Sequence, residues 1–323
     1  MKENKTPKKS KKAFRVLRFF IISLIFVGIA ASIAIVGFNY MGNQNFKETF
    51  YNVSSLKVNN KMRIVQISDL HSCSYGENNQ KLIERLQKLK PDLIILTGDC
   101  IDSKAETEQD VISFCKAVAD IAPSYYIYGN NEVERYYDIV LTQEALDDKY
   151  NFNDDNRDPT KLLEETDPFA TKLEAAGVKV LKNQSDTITI GSTKVDVYGV
   201  LTSNVSSFWS YAGPSFGDYL YTDENNLKIT AIHEPSVFVE YSPDTWGDLV
   251  LAGHTHGGNI KIPIIGPAYT HDGGFLPARK GHYVYGRYEV QGRPLIVSSG
   301  LENKDIFRIN NQPEIVIVDI NKF

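Results

Sequence analysis

A chain of 323 residues, 42% of them hydrophobic, has the length for one large domain or two small ones and enough apolar side chains to fill a core. Of its 35 Lys and Arg and 40 Asp and Glu, eight basic residues and one acid (Glu3) fall in the first eighteen positions. The remainder therefore holds 27 basic against 39 acidic residues, a formal −12. So acidic a body is poorly suited to following a nucleic-acid backbone, and no nucleic-acid polymer is expected as a partner.

Residues 1–18 read as a basic tail. Residues 19–38 then run for twenty positions without a charge, about 30 Å of helix and the thickness of a bilayer's hydrocarbon core. A secretory signal has a shorter apolar core, about 7–15 residues, with small residues after it. Here Ala30-Ala31-Ser32 lies inside the run. That favours an uncleaved anchor over a cleaved signal, and the lack of any polar face argues against a buried soluble helix. The basic flank implies a single-pass cell-membrane protein with its N-terminus in the cytoplasm and its body outside. Residues 39–60 are polar and read as a stalk, and residues 61–323 as one domain.

Within that domain, strand and helix signals alternate. Apolar runs at 64–67, 93–96 and 125–128 read as buried strands. Helical spacing occupies residues 79–90, up to Pro91, and 106–121, before Pro123. This order predicts parallel neighbours joined by right-handed crossovers. Residues 134–167 are rich in tyrosine and acids and read as a cap over a site or as a solvated insertion. Residues 168–176 predict a short helix, and 178–200 three short β runs. Residues 201–226 form a loop dense in aromatics, suited either to local packing or to gripping an apolar substrate. Strand signals resume at 229–232 and 249–251, then at 259–262, 281–285, 294–298 and 314–320. Cys73 and Cys100 follow strand ends and read as buried thiols rather than a disulfide.

Donors suited to divalent cations follow these strands: Asp69 and His71, Asp99, Asn130, His233, and His254 with His256. Ligands at the carboxyl ends of neighbouring strands converge on one sheet edge. Any one of them is more often a surface or core residue; the ensemble is the signal. Gly98, Gly129, Gly253, Gly257 and Gly258 beside them allow sharp turns. Mixed carboxylate, imidazole and amide donors suit Mn, Fe, Zn or Co.

The order Asp-x-His, Gly-Asp, Gly-Asn, His, Gly-His-x-His resembles the calcineurin-like metallophosphoesterase superfamily over residues 62–320. The run 253–258, followed by Ile260, Ile262-Pro263 and Gly266, is similar to a bacterial membrane-associated branch, as are residues 297–301 and 311–314. The resemblance implies an α/β fold, a four-layer α-β-β-α sandwich with two mixed sheets. It implies two divalent metal ions, one held by Asp69, His71, Asp99 and His256, the other by Asp99, Asn130, His233 and His254, with Asp99 bridging. It further implies hydrolysis of a phosphoester, and the anchor and aromatic loop point to a phosphodiester or pyrophosphate of a lipid or envelope precursor. The chain departs from the family's Gly-Asn-His at Asn131, which can offer only an amide where a titratable imidazole is usual. Asn131 is therefore expected to touch substrate, together with Arg279 and His282. His271 and His282 are candidate replacements for the missing acid. The alternative is a metal-stabilised binding protein with weak or no activity.

Overall fold

The computed structural model describes residues 8–136, 167–201, 223–240, 247–270, 273–304 and 308–323. The tyrosine-rich segment 137–166, most of the aromatic loop at 202–222, and His271 lie outside them, as does the side chain of Arg279.

The chain opens with helix α1 (Lys8–Asn43), whose stretch Ala13–Asn43 is long and apolar enough to cross a membrane. Strand β1 (Lys47–Ser55) follows and pairs in parallel with the last strand, β15 (Glu314–Lys322). The polar stalk expected at residues 39–60 is therefore corrected. Its middle is an edge strand of the domain, disguised because only alternate residues such as Val53 turn inward.

Next come β2 (Met62–Ile67), α2 (Gln80–Leu89), β3 (Leu93–Leu96), α3 (Gln109–Ala119) and β4 (Ser124–Ile127). The strands lie side by side and parallel, as the alternation predicts. Helix α2 ends where Lys90 turns left-handed ahead of Pro91. Helix α4 (Pro168–Ala175) begins with Pro168 in its first turn and the Asp167 carboxylate accepting from the N–H groups of Phe169 and Ala170. Strand β5 (Lys179–Leu181) completes a sheet of order β1-β15-β2-β3-β4-β5.

A second six-stranded sheet holds β6 (Gln184–Ile190), β7 (Thr193–Gly199), β8 (Leu227–Ala231), β9 (Leu249–Ala252), β13 (Gly286–Val290) and β14 (Arg293–Val297), in the order β13-β14-β9-β8-β7-β6. Each sheet mixes parallel and antiparallel pairs. Between β9 and β13 a small separate sheet forms from β10 (Ile260–Ile262), β11 (Gly266–Thr270) and β12 (Gly274–Phe275). The strand expected at 281–285 is a loop and the true strand starts at Gly286. The N–H groups of Val284 and Tyr285 both reach the Tyr288 hydroxyl, and the Val284 carbonyl accepts from Thr255.

Three apolar clusters fill the spaces between layers. Val65, Ile94 and Leu96 face α2, α3 and α4 through Leu86, Phe114 and Leu173. Their sequence neighbours Ile64, Leu93 and Ile95 face Val197, Ile229 and Leu251 of the second sheet. Tyr198, Val250 and Val297 cover the outer side of that sheet with Phe238 of the short helix α5 (Val237–Glu240). Strands buried on both faces need apolar residues at every position, so their runs are continuous rather than alternating. The three cysteines are free and buried, as the sequence favoured.

A fragment beginning at residue 44 keeps β1 and should unfold in one cooperative step. Starting at residue 61 removes β1, bares the edge of β15 and loses the burial of Val53 and Tyr51, about 1.5–3 kcal/mol per side chain. Thermal denaturation should show a lower midpoint or aggregation for the shorter fragment.

Candidate metal centre

The carboxyl ends of β2, β3 and β4 in one sheet meet those of β8 and β9 in the other. Bonds across the gap tie them: the Gln66 side-chain amide donates to the Ala252 carbonyl (2.8 Å), and the His254 N–H to Asp69 Oδ1 (3.0 Å). All seven donors named from the sequence gather there. Asp69, His71 and His256 form one group and Asp99, His233 and His254 a second, the ligand atoms of each lying within 4.8 Å of one another. Asn130 joins the second group, its Oδ1 3.2 Å from His233 Nε2 and 3.0 Å from His254 Nδ1. Asp99 Oδ2 stands between the groups, 3.3 Å from His233 Nε2 and 3.6 Å from His71 Nε2.

The backbone is bent hard to achieve this. Asp69, His71, Asp99, His254 and His256 all have positive φ, between 46° and 70°. Each such non-glycine residue costs about 1–3 kcal/mol, and such strain clusters at functional sites. Neighbouring turns nearly touch: a Cβ on Gly129 would lie 2.2 Å from Asp99 Oδ1, and one on Gly98 2.5 Å from the Gly129 nitrogen.

Several residues that the sequence reading missed hold the strained turns. Glu132 is fully buried, and its carboxylate accepts from the N–H groups of Asp99, Cys100, Ile101 and Gly129 and from the Tyr126 hydroxyl. Burial and the adjacent Asp99 charge push its pKa up, while the five donors favour the ionised form. Glu302 lies 2.9 Å from His256 Nδ1, a carboxylate behind an imidazole of the kind that fixes ring orientation. It follows the strand β14 and Gly300, so the rule that located the other donors, an apolar run and then glycine and a donor, extended to 294–302 would have found it. Asn311 donates to the carbonyls of His256 and Gly258 (2.6 and 2.5 Å).

The donor chemistry fits a cation. His233 Nδ1 lies 2.7 Å from the Thr97 carbonyl, so it bears a proton and donates. Nε2 then turns its lone pair toward Asp99 Oδ2 and Asn130 Oδ1, which are themselves acceptors. His256 repeats the pattern, with Nδ1 against Glu302 and Nε2 3.6 Å from Asp69 Oδ1 and 3.1 Å from His71 Nε2. Imidazole lone pairs facing carboxylate and amide oxygens, with no proton between them, call for positive charge at the centre. Without metal, a proton meets that demand. Burial lowers the pKa of His233, but the charge and hydrogen bond of Asp99 outweigh it and raise it to about 10. His256 is raised likewise by Glu302, against its burial, whereas burial lowers His71. For Asp99, burial is overcome by His233 and His71, which hold its carboxyl below the usual range.

The residues expected to touch substrate are less close. The Asn131 side chain is committed inside the loop: Nδ2 donates to Asp99 Oδ2 (2.6 Å), and Oδ1 accepts from the Ser103 N–H (3.1 Å). His282 is exposed. It lies two residues before Val284, whose carbonyl accepts from Thr255 in the loop of His254 and His256 (2.6 Å).

A model of the calcineurin-like phosphoesterase family matches residues 62–258. The chain belongs to this family. It is 25% identical over 297 residues to the metallophosphoesterase YkoQ of Bacillus subtilis, spanning 90% of this chain and 97% of that one. It is also 25% identical to the phosphodiesterase YaeI of Escherichia coli (72% of this chain, 71% of that one) and to the UDP-2,3-diacylglucosamine pyrophosphatase LpxG of Chlamydia muridarum (80% and 83%). The chain is accordingly a hydrolase acting on phosphoric ester bonds, of a metal-dependent family.

Glu132→Gln places an amide NH₂ against backbone donors whichever way it turns. It should cost about 3 kcal/mol, and metal content after purification should fall. A second expectation concerns protons. In protein stripped with a chelator, the contribution of His233 to stability is fully present below its ordinary pKa of 6.5 and lost as pH rises through about 10. Metal binding near pH 8 should therefore release about one proton from His233, readable by titration calorimetry in buffers of different ionisation enthalpy.

Proposed function

We propose that the chain is a membrane-anchored phosphodiesterase or pyrophosphatase working with two divalent cations outside the cytoplasm, on an amphiphilic lipid or envelope precursor. The observation that carries the reading is the pair of donor groups sharing Asp99. Asp69, His71, Asp99 and His256 would hold one cation, and Asp99, Asn130, His233 and His254 the other. Bound there, the pair supplies Lewis acidity toward a phosphoryl oxygen and lowers the pKa of a water.

The chain's own residues do the rest. Thr97 and Glu302 hold the His233 and His256 rings so that Nε2 faces inward. Asn131, donating to Asp99 through both its backbone N–H and its side chain, positions the shared carboxylate. No imidazole stands at position 131 to protonate a leaving group, a function worth about 10²–10⁴-fold. Substrates with good leaving groups are therefore favoured, such as aryl diesters and pyrophosphates, whose departing oxygen needs little help. The bare apolar surface of α1 and the basic tail before it support anchoring with the N-terminus in the cytoplasm. LpxG, which is named for a pyrophosphatase activity on an acylated nucleotide sugar, supports the substrate class.

A second reading, a metal-stabilised binding protein of weak or no activity, is favoured by the engagement of Asn131 with Asp99. One experiment separates the two. Purified protein should bind metal and hydrolyse an aryl phosphodiester and a nucleotide-sugar pyrophosphate, and Asp99→Ala should abolish both metal and turnover. Asn131→His should raise alkyl-diester hydrolysis by up to about 10²-fold while moving the aryl substrate little. Full metal with no turnover of any substrate, unrepaired by that change, would sink the enzymatic reading.

A further inference from the structure

The loop carrying His254 and His256 runs directly into β10, and β10 ends in a turn of unusual composition: Ile262-Pro263-Ile264-Ile265. The Ile265 N–H donates to the Ile262 carbonyl (3.2 Å), Pro263 follows at the second position and Ile264 at the third has φ +73°. That is the pattern of a type II turn, whose third position suits glycine. A β-branched residue there is a genuine outlier. Yet Ile264 is also fully exposed (107%), with Ile262 and Ile265 bared beside it; Tyr269 and Phe275 (75%), level with Ile260 across the same small sheet, are bared below the turn. Lys261, the charged residue of β10, does not dilute the patch: its ammonium folds back over the Tyr285 ring, 3.1 Å from the centroid.

Hydrogen bonds fix the direction in which this turn points. At the end of α1, the Asn43 side chain donates to the Arg308 carbonyl (3.0 Å), and Asn39 Oδ1 accepts from the Asn310 N–H (2.6 Å). The segment 308–310 thus climbs α1 from Asn43 toward Asn39, back toward the apolar span. Ile260 is bridged in parallel to Ile309, and the Asn310 side chain donates to the Lys261 carbonyl (3.1 Å), so β10 climbs in the same direction. Beyond Ile260, the four residues to Ile264 can extend about 10 Å farther, roughly seven residues of helix. The tip is then level with the last apolar turns of α1, around Ile35.

We propose that the Ile262–Ile265 turn inserts into the lipid bilayer surface beside α1, with Tyr269 and Phe275 behind it at the level of the headgroups, and seats the metal centre against the membrane face. The proposal rests on the reading of α1 as a membrane span. An exposed apolar patch next to such a span has an obvious solvent in the lipid. It also explains why an isoleucine occupies a turn position suited to glycine. Two attachments, helix and turn, would hold the donor loop toward phosphoesters presented at the bilayer surface.

The test uses the full chain in vesicles of phosphatidylethanolamine and phosphatidylglycerol. Cys73, Cys100 and Cys115 are buried, so a fluorophore can be attached selectively to Ile264→Cys, to Phe26→Cys within α1, or to Gln87→Cys in the last turn of α2, which lies at the amino end of β2, away from the donor loops. With nitroxide lipids, the labels at 264 and 26 should lose most of their emission and the label at 87 none. Quenching at 26 but not at 264 overturns the proposal and leaves the anchor standing. No quenching at either position overturns both. Emission at 264 that ignores nitroxide lipid but self-quenches between labelled molecules would assign the patch to a second copy of the chain, which also overturns it. As a further check, Ile264→Gly should raise the unfolding temperature in detergent, by relieving the left-handed strain, while releasing a label at Phe275→Cys from lipid quenching. An unfolding temperature that does not rise and quenching that persists would count against the insertion.

Discussion

Asp99 occupies the point on which the centre turns. One of its carboxylate oxygens lies within reach of both histidine groups, its backbone is left-handed, and the glycine of the next strand end presses against it. A carboxylate that faces two separate groups of donors must approach both at once, which a relaxed loop on one strand does not readily achieve. The sandwich solves this by bringing the carboxyl ends of strands from two sheets face to face. The tight approaches at Gly98 and Gly129 follow from the same need, because there is no space for a side chain between the strand ends.

Such an arrangement is unfavourable by itself. Strained turns and converging acceptors raise the energy of the folded chain, and buried polar groups around them must be matched. Glu132 supplies much of the compensation on one sheet by gathering four backbone N–H groups and a tyrosine hydroxyl. Asn311 and Glu302 do so around His256. These supports lie outside the donor set, yet the donor geometry depends on them, because a carboxylate or imidazole displaced by a fraction of an ångström is a poorer ligand. Asn131 belongs with them. Its amide is spent on Asp99, so the departure from the family pattern at this position alters how that carboxylate is held.

The same region joins the centre to α1. Residues 308–311 touch the end of α1, pair with β10 and reach the His256 carbonyl through Asn311. The end of α1 and the loop of His254 and His256 thus share one short stretch of chain, and the apolar turn of β10 extends from it.

Local sequence was enough to place the buried strands, the two crossover helices, the apolar first helix and the seven donors. Each has a local signature: continuous apolar runs, helical spacing closed by proline, or a donor beside glycine after a strand. It misread β1 as a stalk because an edge strand buries only alternate side chains, and it set β13 too early because Tyr288 draws the preceding backbone into a loop. The family resemblance implied which donors pair and that Asp99 is shared; the folded structure was needed to see that Asn131 faces inward and that Glu132 and Glu302 support the turns. It alone set the direction of the β10 turn. All of these depend on contacts between residues far apart in the chain, created when the two sheets close on each other, and local sequence carries no record of which distant backbone will come to lie opposite.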